Sequence, residues 1–575
     1  MAGRALSALV VAGLLSLAGT ARAAITVYAN QAAFLAAVSA PATDSFNDLP
    51  LGGAPSPLAR AATIVPYSYT AASTSAFYMA GTLADVWLST INATDTITFG
   101  AIPPNVRGIG GFFFATDVIG DPAAGNVTLI ATDGSGPVTQ TIVGATTSSF
   151  VGFVSDGALT SLKVNAEQVG AVWPTVNNLV LAAAHAAIPV AERTVLLNLY
   201  TSTGGPAWST NTNWNGASGT ECTWHGVTCN VGGTSVTGID LHFNNLTGSL
   251  PGNLQNLTNL ASFDVYSNHL TGSIPALTGL TNLSSFWVSS NQLTGPIPAL
   301  TGLTNLAYFV VTNNQLTGSI PVLTGLTNLN TFISSNNLLT WSIPALAGLT
   351  NLTYFVSSNN PLAGSIPALS GLTTMVDFEV SNNQLTGTIP ALTGLTNLTF
   401  FRVSGNQLTG SIPALTGLTN VFDFEANNNL VTGSIPALTD LTNMFYFWAH
   451  DNQLTGSIPA LTGLTSLIDF KVNANQLTGP IPALTGLTNL GVFQVSYNQL
   501  SGNAPTVPSP NSLVAGGSAL CPNFLIHTQI AAWDIATGDT PWFNSCTGAP
   551  PPALLGTVSR KVHGAAGAFN LPLAP

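Results

Sequence analysis

A parallel-stranded solenoid preceded by an all-β sandwich is the fold class this sequence predicts, and two observations carry it. Asparagines recur at Asn268, Asn291 and every 23 residues on to Asn498, with Asn244 one 24-residue step before them. Self-similarity at such a period marks stacked supersecondary units. Ahead of this array, from Ala24 to about Ala183, the chain is rich in Val, Thr, Phe and Gly in short alternating runs, the pattern of a strand-rich sandwich.

Taken in order, Arg4, the apolar run Ala5 to Ala18 and the small-residue site Ala21-Arg22-Ala23 predict a secretory signal peptide over 1–23, and with it a secreted or cell-surface protein. The sandwich follows over 24–183, with strands expected in Asp95 to Phe99, Gly110 to Phe114, Asn126 to Thr132 and Ser149 to Val154. A cap over 184–233 opens with one helix from Pro189 to Tyr200, whose Val195, Leu196, Leu199 and Tyr200 have helical apolar spacing. The solenoid runs over 234–508, a second cap over 509–548, and a Pro-rich linker and tail over 549–575 that reads as the opening of a further domain.

Two cysteine pairs bracket the array, Cys222 with Cys229 and Cys521 with Cys546. In an exported chain they are expected as disulfides. A zinc site would need histidine beside the thiolates, and His225 is the candidate inside the first pair; no metal and no cofactor is expected. Only 6% of residues are charged and the formal net charge is −12, a balance that disfavours nucleic acid as a partner. No apolar stretch after the signal reaches the roughly 18 to 20 residues of a membrane span.

The repeating unit reads L-T-N-L-x-x-F-x-V-x-x-N-x-L-T-G-x-I-P. With A-E-R-T-V-L-L-N-L-Y-T-S-T-G-G-P-A-W (Ala191 to Trp208), N-W-N-G (Asn213 to Gly216) and C-T-W-H-G-V-T-C (Cys222 to Cys229) before it, it resembles plant-type leucine-rich repeat proteins over about Ala191 to Pro508. The segments around Ala519 to Asn523, Trp533 to Gly538 and Cys546 look like the C-terminal cap of secreted bacterial members. Scattered segments such as Thr43 to Leu49 and Val176 to Leu181 resemble jelly-roll-like domains of exported bacterial proteins. The resemblance implies an α/β-type leucine-rich repeat solenoid of about twelve repeats, with a parallel concave sheet and a role in protein or peptide recognition.

Within each unit the Leu, Phe and Val of L-x-x-F-x-V, for example Leu283, Phe286 and Val288, alternate with outward residues and should form the core. The repeated Asn should satisfy backbone groups of the neighbouring coil. Neither it nor the repeated Gly is a binding residue. Ser334 and Ser357 stand where other repeats have an apolar core residue, which predicts looser packing there, and Trp341 replaces the Gly of T-G-x-I-P.

The outward strand positions are where the repeats differ. Asp240, Asp264, Asp377, Glu379, Arg402, Asp423, Glu425, Asp451, Asp469 and Lys471 are all expected on the strand face, Asp440 alone off it. One column runs from Asp264 and Trp287 through Glu379, Arg402, Glu425 and Trp448. Its neighbour alternates aromatic and polar from Tyr308 to Asp469, with a 46-residue period. Candidate ligand-binding residues on this face are Trp287, Tyr308, Tyr354, Asp377, Glu379, Phe400, Arg402, Asp423, Glu425, Tyr446, Trp448 and His450. Tyr and Trp offer apolar area with a polar edge, and carboxylates accept hydroxyls or pair with cations. The expected partner is an extracellular protein, peptide or glycan. The same carboxylates could form a glycosidase pair, but an open face is expected to leave their pKa values ordinary, and no nucleophile-elbow, zincin or Walker-type motif is present, so no catalysis is expected. The alternative is a structural or ice-ordering solenoid using threonine columns at Thr278, Thr301, Thr324 and onward, and at Thr281, Thr304 and Thr327.

Overall fold

The computed structural model describes residues 25–62, 67–155, 157–167, 171–184 and 188–546; the expected signal peptide and the tail from 549 onward lie outside the described residues. Two units emerge, an N-terminal one and the stacked array.

Among its described residues the first unit contains a nine-stranded and a six-stranded sheet, both antiparallel. The expected alternating runs fall in strands Ile97–Gly100, Val106–Thr116, Gly125–Asp133 and Phe150–Ser155. Phe113 and Phe153 from one sheet share a fully buried core with Phe99 and Leu129 from the other, the packing of a sandwich.

The second unit opens with the expected helix, Val190–Ser202. Its Val195, Leu196 and Leu199 are buried, as hydrophobic spacing requires, but so is Glu192. That carboxylate accepts hydrogen bonds from Ser235 Oγ at 2.7 Å and Val236 N at 2.6 Å, so it ties the cap to the first coil while replacing the water lost on burial. Trp214 packs against Trp208 and Trp224 with ring centroids 4.9 and 5.1 Å apart. Its indole N–H donates to the His225 carbonyl at 2.8 Å. All four cysteines are in disulfides, Cys521 with Cys546 and hence Cys222 with Cys229, so no thiolate remains to join His225 around zinc.

Beyond the cap, Val227–Cys229 pairs antiparallel with Val236–Asp240, and twelve strands from there to Val492–Gln494 run parallel in one sheet. Ile239 of the first of these strands is in register with Phe263, and from there on the inward Phe of each strand lands on the Phe of the next. From Phe263 to Phe493 the rings form one stack, with centroids 5.4 to 5.7 Å apart, closed by Trp533 at 6.0 Å. Leu283, Phe286 and Val288 are fully buried, as expected.

The asparagine ladder also takes the expected role. Asn406 Nδ2 donates to the carbonyls of Val380 in the preceding coil and Val403 in its own, each at 3.0 Å. Its Oδ1 accepts from Leu385 N at 3.0 Å. At the N-terminal end Asn244 holds both Thr210 N and Thr210 O. Asn523, out of the 23-residue register and not foreseen from it, repeats the pattern at the other end with Leu500 N, Val495 O and Leu520 O. The residue before each ladder Asn commonly adopts a left-handed backbone, as at Asn382 with φ 56°. Asp451 is one of these, with φ 54°. It therefore sits in the turn after the strand, not on the strand face as expected. Trp341 has φ 67° where Gly387, for instance, has 77°, and its side chain is exposed.

Ser334 and Ser357 are fully buried and hydrogen bond to each other at 2.9 Å. The polar substitution is thus paired across two coils. Ser334→Val alone strands the Ser357 hydroxyl and should cost about 1 to 3 kcal/mol, whereas adding Ser357→Val should recover most of the loss. Urea unfolding of the two single variants and the double variant measures the coupling; a double variant no more stable than Ser334→Val would count against it.

Candidate recognition face

Alternation decides which side chains the sheet presents. Phe378 points into the stack, so Asp377 and Glu379 on either side of it face outward, and the in-register pairing carries this through every coil. Asp377 lies beside Phe400 and Glu379 beside Arg402. Next come Asp423 and Glu425, Tyr446 and Trp448, and Asp469 and Lys471. The two columns read from the sequence are therefore real neighbours, and acidic rows recur every second strand.

Eleven of the twelve expected residues lie on these strands, and His450 follows two residues beyond Trp448 in the turn column. They do not form one cluster. Trp287 and Tyr308 make a patch with ring centroids 6.5 Å apart, and Tyr354 lies in the aliphatic stretch that follows, beside Val356. Trp287 stands seven strands from Trp448, about 34 Å at the usual strand spacing. The charged half from Asp377 to Lys471 is the denser group.

Arg402 organises that half. Its Nε donates to Asp423 Oδ2 at 2.9 Å and its Nη1 to Glu379 Oε2 at 3.3 Å, while Glu425 Oε1 lies 3.9 Å away. The guanidinium also lies over the Phe400 ring, 4.5 Å from its centroid. Lys471 repeats this arrangement, with Nζ 2.6 Å from Asp469 Oδ2 and 4.3 Å from the centroid of Trp448. Ser358 Oγ donates to Glu379 at 2.9 Å. His450 Nδ1 is 2.6 Å from the Asp451 carboxylate.

Charge is unevenly matched. Glu379, Asp423 and Glu425 share one guanidinium, which acts on Asp377 only through its charge, and Oδ1 of both Asp377 and Asp423 is buried without a hydrogen-bond partner. Burial pushes the Asp377 carboxyl up to about 7, with the Glu379 charge adding and Arg402 opposing. Burial and the Asp423 charge bring Glu425 to about 7 as well. Asp423 and Asp469 are also raised by burial, each opposed by its own cation. The expectation that an open sheet face leaves carboxyl pKa values ordinary is thus corrected. Aromatic neighbours in register displace water from these short side chains, and like charges sit nearby.

Sequence columns missed two rings. Phe422 and Phe445 precede their strands at a position that is small or polar in most earlier coils. They stack at 4.2 Å, and Phe422 contacts Phe400 at 5.8 Å and Tyr446 at 5.7 Å. The detectable signal was their departure from the Ala, Ser, Asn or Thr at that position. Ile468 takes the same position in the next coil, its N–H donating to the Phe445 carbonyl at 2.9 Å, and continues the two rings as an apolar ledge in sequence order beside the acidic rows.

Among the described residues, Asp240, His242 and Asp264 bring three donor atoms within 4.8 Å of one another, a set that could hold a divalent cation. The first two are exposed, with His242 Nδ1 2.5 Å from Asp240 Oδ1. Thr278 and Thr281, which begin the threonine columns named above, are exposed. No helix among the described residues is long and apolar enough to cross a membrane.

Residues 191–230 match the family model for the leucine rich repeat N-terminal domain, and residues 235–257 that for the leucine rich repeat. None of the curated proteins matches. Among solved structures, the plant peptide hormone receptor RGFR1 in complex with RGF2 is 34% identical over 46% of this chain and 44% of its own, with a TM-score of 0.44. The PEPR1–AtPEP1 complex is 24% identical over 58% and 52%, with a TM-score of 0.48. The Arabidopsis receptor kinase HAESA, with the peptide hormone IDA and co-receptor SERK1, is 28% identical over 59% and 62%, with a TM-score of 0.44. The chain spans less than two thirds of each of these. With its stacked parallel strands, asparagine ladder and matched cap, the repeated part of this chain is a leucine-rich repeat solenoid opening on a leucine-rich repeat N-terminal domain.

Proposed function

We propose that the chain is a secreted, non-enzymatic recognition protein that binds an extracellular protein, peptide or glycan on the outward face of its parallel sheet. One observation carries this reading: three partly or fully buried carboxylates share one cation and a fourth, Asp377, stands beside them without an ion pair, next to a cluster of aromatic rings. Holding unpaired carboxylates away from water costs stability, and a face shaped by folding alone has no use for that cost. The Asn and Phe columns already account for the fold.

Hydrolysis is disfavoured by the same geometry. A glycosidase pair must leave room for the scissile bond between its carboxyl groups, and here the Arg402 guanidinium lies between Glu379 and Asp423. The disulfides support export.

The test uses the full chain and a Tyr446→Ala/Trp448→Ala variant against arrays of extracellular proteins, peptides and glycans, with circular dichroism as the control for folding. Binding by the wild type that falls at least tenfold in the variant is the expected result. Equal binding by both would move recognition off this face. A second reading rests on the exposed threonine columns: measurable thermal hysteresis together with array binding by neither protein would favour ice or water ordering instead.

A further inference from the structure

Building on the reading of this face as a recognition surface, we infer that the stretch from Asp377 to Asp469 is a docking track for an extended basic peptide in polyproline II conformation, with Lys or Arg at every third position, lying across the strands along the stack. Three observations converge on that occupant.

The first is unmet polar capacity. Asp423 is 5% exposed and its Oδ1 lacks a partner, because Arg402 engages the other oxygen. Ser381, 8% exposed on the same face, has a hydroxyl oxygen with no partner, although Ser358 and Ser404 at the equivalent place reach carboxylates 21 residues on. Asp377 Oδ1 is likewise unpaired. These atoms are covered in the free protein, and rotation of the side chains as a ligand seats would turn them toward the N–H donors and positive charge it carries.

The second is how the rings are already used. Arg402 lies over Phe400 and Lys471 over Trp448, so one face of each ring is taken by the chain's own cation. A pyranose ring that needs a free aromatic face to stack on is poorly served, while further Lys or Arg side chains fit chemistry the surface already displays.

The third is spacing. Asp377, Asp423 and Asp469 share a column at two-strand intervals, or about 9.6 Å. A polyproline II chain advances about 9.3 Å in three residues and so presents one side chain per acidic row. An extended β-strand presents same-side residues about 6.7 Å apart and falls out of step at once. The ledge of Phe422, Phe445 and Ile468 lies alongside, and aromatic-lined grooves suit the prolines that favour such a chain.

The probe is a fluorescent twelve-residue peptide of four Lys-Pro-Pro units, titrated by anisotropy against the full chain and compared with an isomer of the same composition whose lysines are paired. The regular peptide should bind at least tenfold more tightly, and Asp377→Asn should weaken it at least fivefold while leaving the isomer unchanged. Asp423→Asn provides a second variant at the next step. Equal affinity for the two isomers would reduce the effect to general charge attraction and overturn the inference, as would binding of neither. If the Tyr446→Ala/Trp448→Ala variant still loses an array partner in that case, the recognition face stands and only its basic occupant is refuted.

Discussion

Phe401→Ala should destabilise the solenoid by about 3 to 5 kcal/mol, the range for removing a fully buried phenyl ring from a core that cannot collapse around the gap. Phe401 meets Phe378 at 5.7 Å and Phe424 at 5.5 Å, with ring planes 17° and 21° apart, so one substitution opens two coil interfaces. In a linear array the loss is local in origin. Hydrogen exchange should therefore accelerate first in the coils around residues 378, 401 and 424, with Phe263 and Phe286 at the far end affected least. Phe401→Leu, which keeps much of the volume, should cost less than half as much. A uniform rise in exchange across every coil, or a loss below about 1 kcal/mol, would show that the stack is not the unit of cohesion.

Asp377→Asn has the opposite sign. Burial and the neighbouring Glu379 charge raise the Asp377 carboxyl to about 7, while in the unfolded chain it titrates near 4. Between those pH values the folded protein binds the extra proton, so stability falls as pH rises through the window and the penalty is complete above about pH 7. Glu425, also brought to about 7, acts in the same direction. The groups that set the Asp377 balance are Glu379, Arg402 and Asp423. Replacing the acid with its neutral amide should add on the order of 3 kcal/mol at pH 8 and little at pH 4, and should flatten the pH profile of solenoid unfolding. Urea titrations at pH 4, 6 and 8 decide it. A variant less stable than wild type at pH 8 would mean that Asp377 supports the fold and is no reserve for a ligand.

Much of this was legible from the sequence because the repeat states each position many times over. The inward Phe286 and Val288, the Asn ladder, the outward columns and the helix after Pro189 all follow from periodicity and alternation. What escaped was specific to single places. Asn523 continues the ladder from a cap that has left the 23-residue register. Ser334 and Ser357 looked like two separate defects because a hydroxyl pair between coils shows only in three dimensions. Glu192, a charged residue in an amphipathic helix, gave no hint of burial. The site was half visible: its columns could be listed, but the sharing of Arg402 among carboxylates depends on side-chain reach, and Phe422 and Phe445 lay just outside the strand positions considered.

The ladder has one more property, which concerns biosynthesis. Asn406 completes the hydrogen bonding of Val380 and Leu385, which belong to the coil before it, and Asn429 does the same for Val403 and Leu408. Every coil is thus finished by its successor. In a chain made from its N-terminus, the newest coil leaves an amide and a carbonyl to water until the Asn of the next 23 residues replaces it, so its closure would trail synthesis by one step. Asn523 ends the sequence of debts by completing Val495 and Leu500 from within the C-terminal cap. The cap is, in this sense, a stop signal written in hydrogen bonds.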